Sequence, residues 1–234
     1  MGQTIIPMRS EGDLAPLIIG PMLGDKTIFA ERIAAELSDR IPVYACLRPR
    51  QADEYVVDPQ RMAESFASDV QALGLTSPYR LLGYSFGAHI VFLLAQILKA
   101  RGDQVEHLFV VDDEADVHRR RFGVATQSPD LGDAQISGRH SLDRCTRSFY
   151  DGKIHLFRAT KWGGKRYPGA VSDWQFIATE GVTCYNFPFT HTEMSHYPAR
   201  QKWIPFLQAF LTGSQDQIDP DPAIHAPSQV DVVP

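Results

Sequence analysis

The sequence predicts an α/β fold in which a mostly parallel sheet is covered by helices on both faces. Two patterns indicate this class: short strand-like runs that are apolar on both faces, and amphipathic helical stretches between them. Parallel neighbours need a crossover long enough to hold a helix, so the alternation favours parallel pairing. The length of 234 residues suits one such domain.

Seven runs have the composition of buried strands. The helices between them are predicted from apolar residues spaced four apart, which form one stripe at Phe29, Ile33 and Leu37 and another at Met62, Phe66 and Val70. A third helix is expected from Ala88 to Leu98, and a last one around Trp203 to Phe210 with a kink at Pro205. The predicted strands are Thr4–Pro7, Pro16–Gly20, Pro42–Leu47, Tyr79–Gly83, His107–Val111, Lys153–Arg158 and Val182–Phe187.

Composition excludes several classes of protein. A hydrophobic fraction of 44% with 10% aromatics is ordinary for a packed domain and excludes disorder as the main state. The net charge is −5, and the segment Gly213–Pro234 supplies much of it, with four Asp, four Pro and no Lys or Arg. The rest is nearly neutral, which argues against nucleic-acid binding because that needs a basic surplus.

The cysteines and the N-terminus predict a cytoplasmic protein without membrane contact. Cys46, Cys145 and Cys184 are odd in number and far apart, which favours a reducing compartment and gives no metal-ligand spacing. The start MGQTIIPM contains no export signal. The most apolar segment, Val91–Leu98, is far shorter than the roughly 20 residues that span a bilayer.

One segment of the sequence interrupts the alternation of predicted strands and helices. Residues Glu114–Tyr150 are polar and rich in turn signals, which predicts a lid-like insertion. We therefore expect one catalytic domain over residues 1–212 with a lid at 114–150, followed by a disordered Pro/Asp-rich tail at 213–234.

The segment Gly83-Tyr84-Ser85-Phe86-Gly87 has the form G-x-S-x-G between a predicted strand and a predicted helix. A sharp strand-to-helix turn needs small residues around the serine, and the helix N-terminus places backbone N–H groups beside its hydroxyl. This context predicts a nucleophile at Ser85. The simpler interpretation is a Gly-rich turn that only caps a helix.

A serine nucleophile needs a base, and the base needs an orienting acid. Asp112 follows the strand His107–Val111, so its carboxylate should lie at the same edge of the sheet as Ser85; Asp113 is the alternative. Two histidines, His191 and His196, follow the last strand and precede the last helix, and position alone leaves both open as the base. The other candidates lie within a strand (His155), in the insertion (His118, His140) or in the tail (His225).

Over about 210 residues, the chain resembles thioesterase domains of nonribosomal peptide and polyketide synthases, which have the α/β-hydrolase fold. The opening IIPMRSEGDLAPLIIGPMLGDKTIF resembles the entry strand, turn and first helix, and SPYRLLGYSFGAHIVFLLAQILKARGDQVEHLFVVD is the most similar stretch. Later, DWQFIATEGVTCYNFPFTH resembles the last strand and the histidine loop, although Phe189-Thr190 replaces the usual Gly-Asp before the histidine.

The resemblance implies a role for each matching position. Ser85 matches the nucleophile, Asp112 the acid and His191, rather than His196, the base. Backbone N–H groups of Met22 and Phe86 match the oxyanion hole. The implied activity is hydrolase chemistry of secondary metabolism: release of an acyl, peptidyl or polyketide chain from a carrier-protein thioester through an acyl-serine.

The resemblance also implies an acyl or peptidyl carrier protein as partner, with the substrate on its phosphopantetheine arm and no cofactor or metal. Arg119, Arg120 and Arg121 could form a basic rim for that partner, or only a solvated charge run. The short lid favours hydrolysis over cyclisation. The alternatives are a general carboxylesterase or acyl-CoA thioesterase, and a noncatalytic binding protein with the hydrolase fold.

Overall fold

The computed structural model describes residues 4–22, 27–48, 58–113, 149–161, 174–175 and 177–214. The elements with defined bounds are seven strands, four helices and one 3₁₀ turn at Thr192–Ser195, and residues 174, 175 and 177 are also helical. The strands are β1 (Ile5–Arg9), β2 (Leu17–Ile19), β3 (Val43–Cys46), β4 (Tyr79–Tyr84), β5 (Val105–Val111), β6 (Ile154–Ala159) and β7 (Val182–Phe187). The helices are α1 (Ile28–Glu36), α2 (Pro59–Ala72), α3 (Phe86–Ala100) and α4 (Tyr197–Thr212).

The strands form one sheet in the order β1-β3-β2-β4-β5-β6-β7. Only β1 is antiparallel to its neighbour in this sheet, and the pairs from β3 to β7 are parallel. The mostly parallel sheet predicted from the sequence is therefore confirmed. Because parallel strands end at a common edge, the residues that follow β2, β4, β5, β6 and β7 meet there, and we call this edge the carboxyl edge.

Two apolar layers enclose the sheet. Helices α2 and α3 cover one face, where Phe66 and Phe92 are fully buried. Helices α1 and α4 cover the other face with Phe29 and Trp203. Burial on both faces explains why the central strands β2, β3 and β4 are apolar at nearly every position rather than alternating.

The predicted strands and helices correspond closely to the observed ones. Strand β5 begins at Val105 instead of His107, and α3 begins at Phe86 instead of Ala88, directly after the serine. Helix α4 continues through Pro205. In the described part of the chain, no helix is long and apolar enough to cross a membrane. The predicted lid, apart from residues 149–150, and the predicted tail beyond residue 214 lie outside the described residues.

Candidate active site

Ser85 lies in a strained turn between β4 and α3. Its backbone has φ 50° and ψ −127°, a conformation that L-residues rarely adopt. The turn brings β4 and α3 so close that a Cβ on Gly83 would lie 2.3 Å from Cα of Ala88. A glycine is therefore required two residues before the serine, which is the physical basis of this part of the motif.

The turn that follows β2 packs directly against the start of α3. A Cβ on Gly87 would lie 2.6 Å from the carbonyl oxygen of Pro21, and one on Gly20 would lie 2.7 Å from the carbonyl oxygen of Gly87. Met22, the next residue of this turn, and Phe86, the first residue of α3, therefore belong to two backbone segments in contact beside Ser85. This arrangement is what a pair of N–H donors for an oxyanion would need.

Three distant side chains converge at the carboxyl edge. The imidazole Nε2 of His191 lies 3.0 Å from Oγ of Ser85, and its Nδ1 lies 2.9 Å from Oδ2 of Asp112. With its proton on Nδ1, the ring donates to the carboxylate and presents the Nε2 lone pair to the serine hydroxyl. The serine can thus lose its proton to a base whose tautomer is fixed by an acid.

Asp112 is held rigidly at the end of β5. Its carboxylate is 1% exposed, and Oδ1 accepts a hydrogen bond of 2.7 Å from the backbone N–H of Ala159. Its own N–H donates to the carbonyl of Phe157 at 2.8 Å. The backbone at Asp112 has φ 47°, a region that aspartate tolerates better than most residues. This turn leaves Oδ2 for His191.

The pKa of His191 is raised above its ordinary value. Burial alone would lower it, but the hydrogen bond and the negative charge of Asp112, together with the charge of Asp113, outweigh burial. The side chain is 33% exposed, so a reactant can reach it. A raised pKa favours the imidazolium that forms when His191 takes a proton.

The loop that carries His191 is fixed by hydrogen bonds that the sequence analysis did not identify. The N–H of Thr190 donates to Oε2 of Glu193 at 2.7 Å, and the N–H of Glu193 donates to Oγ1 of Thr190 at 3.3 Å. The indole of Trp203 in α4 donates to the carbonyl of Met194 at 3.0 Å. The signal was present as the T-x-x-E pattern of a capping box.

Asp113, the alternative acid, has different neighbours. Its Oδ2 lies 2.7 Å from Nε2 of His89, and its backbone carbonyl accepts a hydrogen bond of 2.9 Å from the indole of Trp174. His89 lies in α3 and is 6% exposed. Residue 113 therefore ties the helix that follows Ser85 to the turn that carries Asp112.

The remaining predicted residues have other surroundings or lie outside the described part of the chain. His196 immediately precedes α4, and its N–H donates to the carbonyl of Glu193. Met22 packs partly buried against the apolar layer of α1 and α4. Arg119, Arg120 and Arg121 lie outside the described residues.

Comparison with protein families decides the class of the chain. The profile described as Thioesterase domain matches residues 17–147, more than half of the sequence. The chain belongs to the thioesterase domain family. Membership implies a hydrolase, and the matched residues include Ser85 and Asp112 but end before His191.

Curated relatives of this thioesterase domain match in part. The chain is 30% identical over 108 residues to a chondramide synthase of Chondromyces crocatus, covering 46% of the chain and 3% of that protein. It is also 30% identical over 108 residues to a nonribosomal peptide synthetase of Ascocoryne sarcoides, covering 45% of the chain and 11% of that protein. The chain thus spans a small fraction of these relatives.

Solved structures share the fold of this thioesterase domain. The type II thioesterase BorB from the borrelidin biosynthetic cluster superposes with a TM-score of 0.72 at 21% identity, covering 91% of this chain and 97% of that chain. The NocB thioesterase domain from the nocardicin cluster gives 0.68 at 19% identity, covering 91% and 100%. The α/β-hydrolase fold predicted from the sequence is confirmed.

Proposed function

We propose that this chain releases an acyl, peptidyl or polyketide chain from a carrier-protein phosphopantetheine thioester through an acyl-Ser85 intermediate, with hydrolysis favoured over cyclisation. The observation that carries the proposal is the continuous contact from Ser85 Oγ through the His191 ring to Asp112, at 3.0 Å and 2.9 Å. Membership in the thioesterase family supplies the class of bond.

In the first half of the proposed reaction, His191 takes the hydroxyl proton of Ser85 while the serine oxygen attacks the thioester carbonyl carbon. The negative charge that develops on the carbonyl oxygen is stabilised by the N–H groups of Met22 and Phe86. The C–S bond then breaks, the thiolate takes the proton from His191, and the acyl group remains on Ser85.

In the second half, His191 takes a proton from water, and the resulting hydroxide attacks the acyl-Ser85 ester. The C–O bond to the serine breaks, the proton returns from His191 to Oγ, and a carboxylic acid leaves. Asp112 keeps the imidazole in one tautomer and stabilises its protonated form in both halves.

The carrier-protein partner is supported by the relatives, among which are a chondramide synthase and a nonribosomal peptide synthetase. We propose Arg119, Arg120 and Arg121 as the basic rim that meets the carrier or the phosphate of its arm. Replacing the three arginines by alanine should lower turnover of a carrier-bound thioester but spare a small thioester. Equal loss on both substrates would contradict the rim.

Hydrolysis is proposed over cyclisation because the insertion at 114–150 is short, and a short lid leaves the acyl-enzyme open to water. The ratio of free acid to macrocycle formed from a model peptidyl thioester measures this choice. A predominantly cyclic product would contradict it.

The central test is labelling and turnover at Ser85. A fluorophosphonate should modify Ser85 of the wild type, and Ser85→Ala should abolish labelling and reduce thioester turnover by several orders of magnitude. Absence of labelling in folded wild-type protein would instead favour a noncatalytic binding protein. Comparing carrier-bound, CoA-bound and oxygen esters of one acyl chain separates carrier release from a general esterase or acyl-CoA thioesterase.

A further inference from the structure

Tyr84 contacts His191 in two places. The two rings stack with centroids 5.0 Å apart and planes inclined by 20°. The phenol hydroxyl of Tyr84 donates a hydrogen bond of 2.8 Å to the backbone carbonyl of His191. The same side chain therefore touches both the ring and the main chain of the proposed base.

Tyr84 is itself firmly placed. It is the last residue of β4, a strand with neighbours on both sides, and it is 7% exposed. On the face covered by α1 its ring packs against Phe29, with centroids 5.4 Å apart. Burial raises the pKa of Tyr84 to about 12, so the hydroxyl keeps its proton and remains a donor at neutral pH.

From these contacts we infer that Tyr84 is a positioning residue for His191: it fixes the imidazole of the base relative to the serine that follows Tyr84 directly in the chain. The inference rests on the proposed function, because it requires His191 to be the base. Two adjacent residues then have linked roles: Ser85 is the nucleophile, and Tyr84 supports its base. A shift of the backbone at Tyr84 and Ser85 would therefore move the nucleophile and the support of His191 together.

The two contacts should have separable effects. The hydrogen bond fixes the backbone of residue 191, so its loss should increase the freedom of the loop and lower the rate. The stacked ring presents its π face to the imidazole, which favours the protonated form. Loss of the ring should therefore also lower the pKa of His191, whereas loss of the hydroxyl alone should not.

The experiment compares Tyr84→Phe, which keeps the ring, with Tyr84→Leu, which loses both contacts. The rate of fluorophosphonate labelling of Ser85 is measured against pH, and the pKa of His191 is followed by NMR titration. Tyr84→Phe should slow labelling about threefold or more at an unchanged pKa. Tyr84→Leu should be slower still and lower the pKa by about half a unit.

Tyr79→Phe is the matched control. Tyr79 lies at the other end of β4, is 3% exposed, and its hydroxyl donates to the backbone carbonyl of Leu75 at 2.6 Å. Tyr79→Phe therefore loses a hydrogen bond of the same kind as Tyr84→Phe, but at the end of β4 away from His191. This variant should destabilise the fold to a similar extent, and its Ser85 should be labelled at a rate within about twofold of wild type.

Labelling of Tyr84→Phe less than about threefold slower than wild type would overturn the inference, and so would equal slowing in Tyr79→Phe. Thermal unfolding of each variant establishes that it is folded, and the conservative Tyr84→Phe decides the question if Tyr84→Leu does not fold. Failure of the proposed function is a different result, because wild-type Ser85 would then not be labelled at all.

Discussion

Two histidines of this chain lose water on folding, His191 in part and His155 almost wholly, and their pKa values shift in opposite directions. His191, at the carboxyl edge, faces the carboxylate of Asp112 at 2.9 Å, and its pKa is raised. His155, within β6, is 4% exposed and packs against the rings of Phe109 and Phe210, with centroids 5.1 Å and 4.3 Å away. Burial, with the nearby charges of His107 and Lys153, lowers the pKa of His155 to about 3.

His191 is also the more exposed of the two, but its partner decides the sign of the pKa shift. Desolvation disfavours the imidazolium at both positions, but only His191 has a carboxylate that outweighs it. Within the described residues, the buried Nδ1 of His155 has no hydrogen-bond partner. A buried histidine becomes a usable base only when a fixed acid compensates for the lost water.

Removing that acid should have the largest effect. Asp112→Asn should lower kcat for a thioester by about 10⁴-fold, because the amide no longer stabilises the imidazolium or fixes the productive tautomer. The pKa of His191 should fall, as at His155. Steady-state kinetics and NMR titration measure the two effects. The asparagine oxygen can still accept from the Ala159 N–H, so a large loss of stability in place of a loss of kcat would contradict the assignment.

The pH profile of the wild type should show the raised pKa directly. His191 must be neutral to act as a base, so kcat/KM should fall about tenfold per pH unit below the pKa of His191. Because that pKa is raised above the ordinary 6.5, the acid limb should begin above pH 6.5. An acid limb well below pH 6.5 would mean that the pKa of His191 is lowered, as that of His155 is, and would contradict the role of Asp112.

His155 should affect stability and not activity. Its pKa is about 3 in the fold against an ordinary 6.5, so between these values the unfolded chain binds the extra proton. The free energy of unfolding should therefore fall as pH falls through this range, by up to about 1.4 kcal/mol per pH unit. His155→Leu should reduce this slope in urea unfolding at pH 5 and pH 8 and leave labelling of Ser85 unchanged.

If the free energy of unfolding of His155→Leu depended on pH as steeply as that of the wild type, His155 would not be the buried neutral group described above. The neighbouring His107, whose pKa burial also lowers, should account for the acid sensitivity that remains in the variant.

The smallest effect is expected from Asp113. Its charge adds to that of Asp112 in raising the pKa of His191, so Asp113→Asn should move the acid limb down by about half a pH unit or less. Glu106→Gln is the control, because Glu106 lies at the opposite end of β5 and pairs with Arg80 at 2.6 Å. A shift of the same size in Glu106→Gln would indicate a general charge effect.

Much of this arrangement could be predicted from the sequence. The alternation of strands and helices placed Ser85, Asp112 and His191 after strands that end at one edge, since the order of parallel strands determines where their ends meet. The choice of His191 over His196 needed the family resemblance, because the geometry of a loop between β7 and α4 is not encoded in any periodicity.

The contacts around the three residues could not be predicted. Stacking of Tyr84 on His191 joins residues far apart in the chain, and the approach of His89 to Asp113 depends on the packing of α3 against β5. Such contacts depend on side-chain directions set by the assembled sheet, about which a single sequence contains no pattern. The capping box from Thr190 to Glu193 is the exception, because its T-x-x-E pattern is visible in the sequence.

Ser85 and Asp112 are the two non-glycine residues with positive φ in the described part of the chain. Backbone strain of this kind costs a protein about 1–3 kcal/mol at each position. Selection for thermostability alone should therefore favour Ser85→Gly. This substitution would relieve the backbone strain at residue 85 and at the same time remove the proposed nucleophile. Thermostability gained by laboratory evolution is informative here only if selection for turnover accompanies it.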